Sequence, residues 1–94
     1  MTHQYTNTTV PIDTTATTIF TGRRQVASIT VNCTTARSIV FSDIDDVEIF
    51  EIRTVANQTV NWYPCEPVDF ENGLRVLVGT AATANASVMH SRAL

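Results

Sequence analysis

The feature that most constrains this chain is a period-two alternation of apolar and polar residues. It recurs every ten residues or so with turn residues between, and no window carries a sustained 3.6-residue apolar stripe. Residues 25–33 set Ala27, Ile29, Val31 and Cys33 against Ser28, Thr30 and Asn32, the pattern of a half-buried strand. Residues 37–42 set Ile39 and Phe41 against Ser38, Val40 and Ser42, and residues 47–54 oppose Phe50 and Ile52 to Ile49 and Glu51. Residues 58–63 carry Val60 and Trp62 on one face; residues 14–20, 74–78 and 83–90 supply further strands. The residue types agree with the period: sixteen threonines, with many Val and Ile, are stiff at χ1 and suit a pleated strand better than a helix.

The breaks fall where strands cannot continue. Thr21-Gly22, the acidic stretch Asp43-Ile44-Asp45-Asp46, Ala56-Asn57 and Asn72-Gly73 read as turns. Pro64 and Pro67 exclude a central strand around Cys65-Glu66, because proline cannot donate to the ladder. The expected fold is therefore all-β: a small antiparallel β-sandwich or barrel, one domain over residues 14–94, with an extended N-terminal arm over residues 1–13. Pro11 bars a helix in that arm, and Tyr5, Val10 and Ile12 are its anchors. The predicted core is Ile29, Val31, Ile39, Phe41, Phe50, Ile52, Trp62, Phe70, Leu74, Val76 and Val78.

Charge and chemistry narrow the function. The net charge is −3, and the six basic residues are scattered arginines, so the basic stripe that a nucleic-acid binder needs is missing. No apolar run approaches the roughly 20 residues of a membrane span, and the start lacks the pattern of a secretory signal. Synthesis in the cytosol then predicts that Cys33 and Cys65 are reduced, unbridged and buried structural thiols. No catalytic residue is nameable: His3 falls in the arm and His90 near the end, both read as surface or rim residues without a nucleophile or acid beside them. Asp43, Asp45, Asp46 and Glu48 have carboxylates that could hold a cation, but the glycine and the closing glutamate of an EF-hand are missing, so the stretch reads as a soluble turn. No cofactor or metal is expected. Alternation turns Trp62 inward and Tyr63 outward, which adds Tyr63 to Tyr5, Val10 and Ile12 as interface residues.

One phrase carries a resemblance. Val68-Asp69-Phe70-Glu71-Asn72-Gly73-Leu74-Arg75-Val76-Leu77-Val78-Gly79-Thr80-Ala81, after the strands of residues 23–52 and before one last strand, resembles small virion proteins of tailed bacteriophages. These are β-sandwich proteins of the head-decoration or capsid cement type, and the resemblance spans roughly residues 23–90. The same phrase also reads without any family, as a tight turn at Asn72-Gly73 leading Leu74, Val76 and Val78 into a core. The resemblance implies a non-enzymatic structural protein on the capsid surface, assembled in the host cytoplasm, with the major capsid protein as partner and a homo-oligomer, a trimer by analogy, as working form. The chain departs from such proteins in its acidic and Thr-rich loops, and the arm lies outside the match. The alternative is a carbohydrate- or receptor-binding module of a tail fibre or spike, which would need a cluster of exposed aromatics.

Overall fold

The computed structural model describes residues 5–92; His3 and the first four residues of the expected arm lie outside them. Nine strands run in order: β1 (Thr6–Pro11), β2 (Thr17–Phe20), β3 (Arg24–Cys33), β4 (Ser38–Ser42), β5 (Glu48–Arg53), β6 (Gln58–Trp62), β7 (Val68–Phe70), β8 (Leu74–Val78) and β9 (Ala84–Arg92). They form two antiparallel sheets. One has the order β1-β9-β3-β6, with β7 also on β3, and the other has the order β2-β8-β4-β5. The architecture is the sandwich expected from the alternation, with the inward faces of both sheets supplying the core.

The chain changes sheet at most of its turns. Among the described residues the one strand pair adjacent in sequence that also pairs in space is β4 with β5. Its turn is built by Asp43, whose carboxylate accepts the N–H groups of Asp45 (2.8 Å) and Val47 (3.0 Å), while Asp46 takes a φ of 62°. Asp is among the few residues that enter this region at modest cost. The tight turn expected at Asn72-Gly73 is present, and it carries the chain from β7 in one sheet to β8 in the other. Gly73 has a φ of 77°, and a Cβ there would stand 2.9 Å from the Phe20 carbonyl oxygen, so the crossing needs glycine for space as well as for conformation.

The arm is corrected. Its extended path is present, but Thr6–Pro11 lies as β1 along β9 of the same chain, in register from Thr6 opposite His90 to Pro11 opposite Asn85. Ile12 is 2% exposed and belongs to the core, and Val10 packs against that core. Residues 5–13 are thus part of the sandwich rather than a segment beside it.

Seven of the predicted core residues (Ile29, Val31, Ile39, Phe41, Leu74, Val76 and Val78) are sealed from solvent, and Ile52 and Phe70 are nearly so. Phe50 and Trp62 are half-buried at the margin. Val26 rather than Ala27 faces inward, because β3 shifts register against β9 between Val26 and Ser28, and the bulge moves the inward face by one residue. Val88 and Ala86 of β9, Ile19 and Phe20 of β2 complete the core.

Candidate functional site

Strands β6 and β7 are two pieces of one path along β3. Trp62 lies opposite Ile29 and Val68 opposite Val26, so two residues of β3 face the five-residue excursion 63–67. Pro64 and Pro67 cannot donate to the ladder, and the chain loops outward there. Tyr63, 72% exposed, and Cys65, also exposed, stand on this excursion. The expectation of two buried thiols therefore holds for Cys33 and is corrected for Cys65; the two are unbridged.

On this side of the sandwich the edge strand β5 faces β7 across the gap between sheets. Aromatic side chains fill the gap from within. Phe41 stacks on Phe50 at 4.9 Å, Phe50 on Trp62 at 5.3 Å, and Phe70 meets Phe50 and Trp62 edge-on at 6.1 and 6.5 Å. Above this cluster lies an open groove of about 410 Å³ between Ile49 on β5 and Val68 on β7, bounded by Asp43, Asp69 and Glu71. Ile44 and Val47 belong to the turn at its end, where the Ile44 amide donates to the Asn72 carbonyl at 2.9 Å. Ile44, Val47, Ile49 and Val68 all remain exposed, Val47 most of all. A second, smaller groove, lined by Asn32, Cys33, Thr34, Asn57, Thr83 and Asn85, is polar apart from one thiol.

Two of the carboxylates at the larger groove, Asp43 and Asp69, are held in their ionised form by donors. Hydrogen bonding from the Val47 amide keeps Asp43 below the usual carboxylate range, and the bond from Arg23 (2.8 Å) does the same for Asp69. The acidic turn is pinned at separate points: Asn72 donates to Asp45 at 2.9 Å and Arg75 to Asp46 at 2.8 Å. Asp43, Asp45 and Asp46 thus turn to different protein donors, and among the described residues no three acidic, His or Cys side chains gather in a geometry that could hold a metal. What the groove offers is apolar contact ringed by negative charge.

Of the sequence-predicted interface residues, Tyr63 and Tyr5 are exposed, but on different strand regions, and the structure does not bring them together with Val10 or Ile12. Ile12, buried, is not available to a partner. The groove residues Ile49 and Val68, and Ile44 and Val47 of the neighbouring turn, were missed. Their signal was visible: Ile49 sits on the polar face of its own alternation, and Val47 and Ile44 are apolar residues in an acidic turn. His90 is also corrected. It is 4% exposed and not a rim residue, held between Thr8, Arg24 and Phe20.

Comparison of the chain with protein-family models, with curated proteins and with solved structures finds no match.

Proposed function

We propose that this chain is a non-enzymatic structural protein that binds other proteins through the groove between β5 and β7. Its proposed setting is the head shell of a tailed bacteriophage, where it acts as a decoration or cement protein on the capsid surface. The observation that supports binding is an acid-rimmed groove lined by the exposed apolar residues Ile49 and Val68, with Ile44 and Val47 exposed on the turn beside it. Isolated exposed apolar residues are ordinary, but a group of them beside and within one concavity fits a docking surface. The negative rim selects a partner segment that is aliphatic and basic, since charge complementarity suppresses wrong partners and speeds encounter. The phage setting, the major capsid protein as partner and a trimeric working form rest on the resemblance of the phrase 68–81. Mechanistically the sandwich is a rigid clamp, and contact area buried on neighbouring subunits adds to the stability of their lattice.

The carbohydrate reading has less support, because Trp62 is engaged with Phe50 and Phe70 and cannot join Tyr63 in an open aromatic platform.

The test uses gradient-purified particles from a culture producing the chain, with copy number measured by quantitative mass spectrometry. The expected result is the chain in fixed ratio to the major capsid protein, and its loss from particles in the double variant Val47→Glu, Ile49→Glu. Both positions are exposed, so each substitution should change stability by no more than about 0.5 kcal/mol and the variant should still fold. A chain absent from particles, or a variant incorporated at the parent level, overturns the proposal.

A further inference from the structure

His90 is a buried titratable group with no part in the groove. It lies on the inward face of β9, where Thr8 Oγ1 of β1 stands 2.8 Å from Nε2 and Arg24 Nη1 of β3 stands 3.3 Å from Nδ1. The Phe20 ring of β2 covers it with centroids 4.9 Å apart. Three strands besides its own therefore meet at one imidazole.

The partners dictate its protonation. A guanidinium has only donors, so Nδ1 must present its lone pair to Arg24, and the ring proton sits on Nε2, donated to Thr8. Protonating Nδ1 would set an N–H against an N–H and one cation against another. Burial, and then the Arg24 charge, push the imidazole below its ordinary value of 6.5. Arg24 is the charged group that faces the ring; β1 contributes a hydroxyl, β2 an aromatic ring, and the flanking residues of β9 are Met89 and Ser91. Among the described residues no carboxylate contacts the ring to stabilise its cation.

Besides its six-residue ladder with β9 and a hydroxyl bond between Thr9 and Ser87 (2.8 Å), the strand this contact holds has few buried side chains to secure it. β1 is an edge strand paired only with β9, and of its side chains Thr8 and Val10 alone are partly buried, the rest being exposed. Ile12, just beyond, is buried and anchors the hinge, its amide donating to the Ala84 carbonyl at 2.9 Å. Few buried apolar contacts and one exposed flank place such an element at the low end of local stability.

We propose that the Thr8–His90–Arg24 contact is an acid-labile latch: it holds Thr6–Pro11 on β9 at neutral pH and releases the strand when His90 takes up a proton. The proton comes from solvent and adds to Nδ1, expelling the Arg24 side chain from its bond. The Nε2–H bond to Thr8 survives, and it is the cost of an unpaired buried cation, relieved when β1 lifts and admits water, that opens the strand. When β1 detaches, the imidazole reaches water and regains its ordinary basicity. The latched state binds the proton less well than the open one, so latching is complete above about pH 6.5 and is lost as pH falls from there towards the folded-state value. The open form exposes the backbone edge of β9, a surface to which a strand can add. This inference does not depend on the proposed function.

Amide hydrogen exchange on the isotope-labelled full chain, followed by NMR between pH 7.5 and 5 and corrected for intrinsic exchange, is the test. The His90 ring titration is read in the same samples. The β1 amides should lose protection by up to about tenfold per pH unit below roughly pH 6, with the amides of β4 and β8 unchanged as reference. The His90→Gln variant, whose amide satisfies both Thr8 and Arg24 without titrating, should keep β1 protected throughout. Should that variant fail to fold, Arg24→Gln serves, because its carbonyl can accept from a protonated Nδ1 and should raise the His90 titration towards 6.5 and blunt the loss. Constant β1 protection in the parent, an equal loss in every strand, or a full acid response in the folded His90→Gln variant (or, in its place, in Arg24→Gln) each overturns the latch.

Discussion

Truncating Phe41 to Ala tests the core at its most enclosed point. The ring is fully buried on β4 between the sheets, flanked by Val76 opposite it on β8 and stacked on Phe50 at 4.9 Å with planes 8° apart. Removing it takes away the transfer energy of a phenyl group and leaves a cavity whose walls belong to two hydrogen-bonded sheets, so collapse is limited. The cost is about 3–5 kcal/mol. A domain of this size has on the order of 5–14 kcal/mol in total, and each kcal/mol shifts its melting temperature by roughly 4–8 °C. The melting temperature should therefore fall by on the order of 12–40 °C. Trp62→Ala is the internal control. Trp62 belongs to the same aromatic cluster, but it is half-buried at the margin and one side already meets water. Its loss should cost about 2 kcal/mol, below the range of fully buried aromatics. Calorimetry serves for both variants; fluorescence cannot, since Trp62 is the sole tryptophan. A Trp62→Ala shift equal to or larger than that of Phe41→Ala would refute the placement of the closed core at Phe41 and the open margin at Trp62.

Two further outcomes follow from the turns and thiols. Gly22 and Gly73 both have positive φ, 74° and 77°, but a Cβ meets open space at Gly22 and the Phe20 carbonyl at Gly73, so denaturant unfolding should show Gly22→Ala costing about 1 kcal/mol and Gly73→Ala clearly more. Thiol titration of the native chain should find Cys65 at once and Cys33 only after denaturant is added, both without reductant; one slow and one fast thiol is the signature of their unequal exposure.

Much of the sandwich was legible residue by residue, because strand alternation is a local property. Side chains two apart share a face whatever the strand later pairs with. That is why Ile39 with Phe41, Ile29 with Val31, and Leu74 with Val76 and Val78 could be assigned to the core from the sequence alone. The same reasoning failed at Ala27 because a bulge against β9 shifts the phase, and a bulge is a relation between two strands rather than a property of one. It failed for the arm because three apolar residues among polar ones look too few to bury anything, until β9 supplies the surface. At Asn72-Gly73 the turn was legible, but a positive-φ glycine does not say whether the strands it joins will pair, and here they lie in different sheets.

The sequence by itself determined the class of structure, the turns and most core positions. Tertiary structure alone decided the pairings, and with them both features on which the functional inferences rest. The groove exists because β5 and β7, on different sheets, face each other across an aromatic-filled gap. His90 is buried because Thr8, 82 residues away, lies beside it. Contacts of that separation leave no periodic trace, since the energy that selects them is spread over both sheets and becomes available only when the sandwich closes.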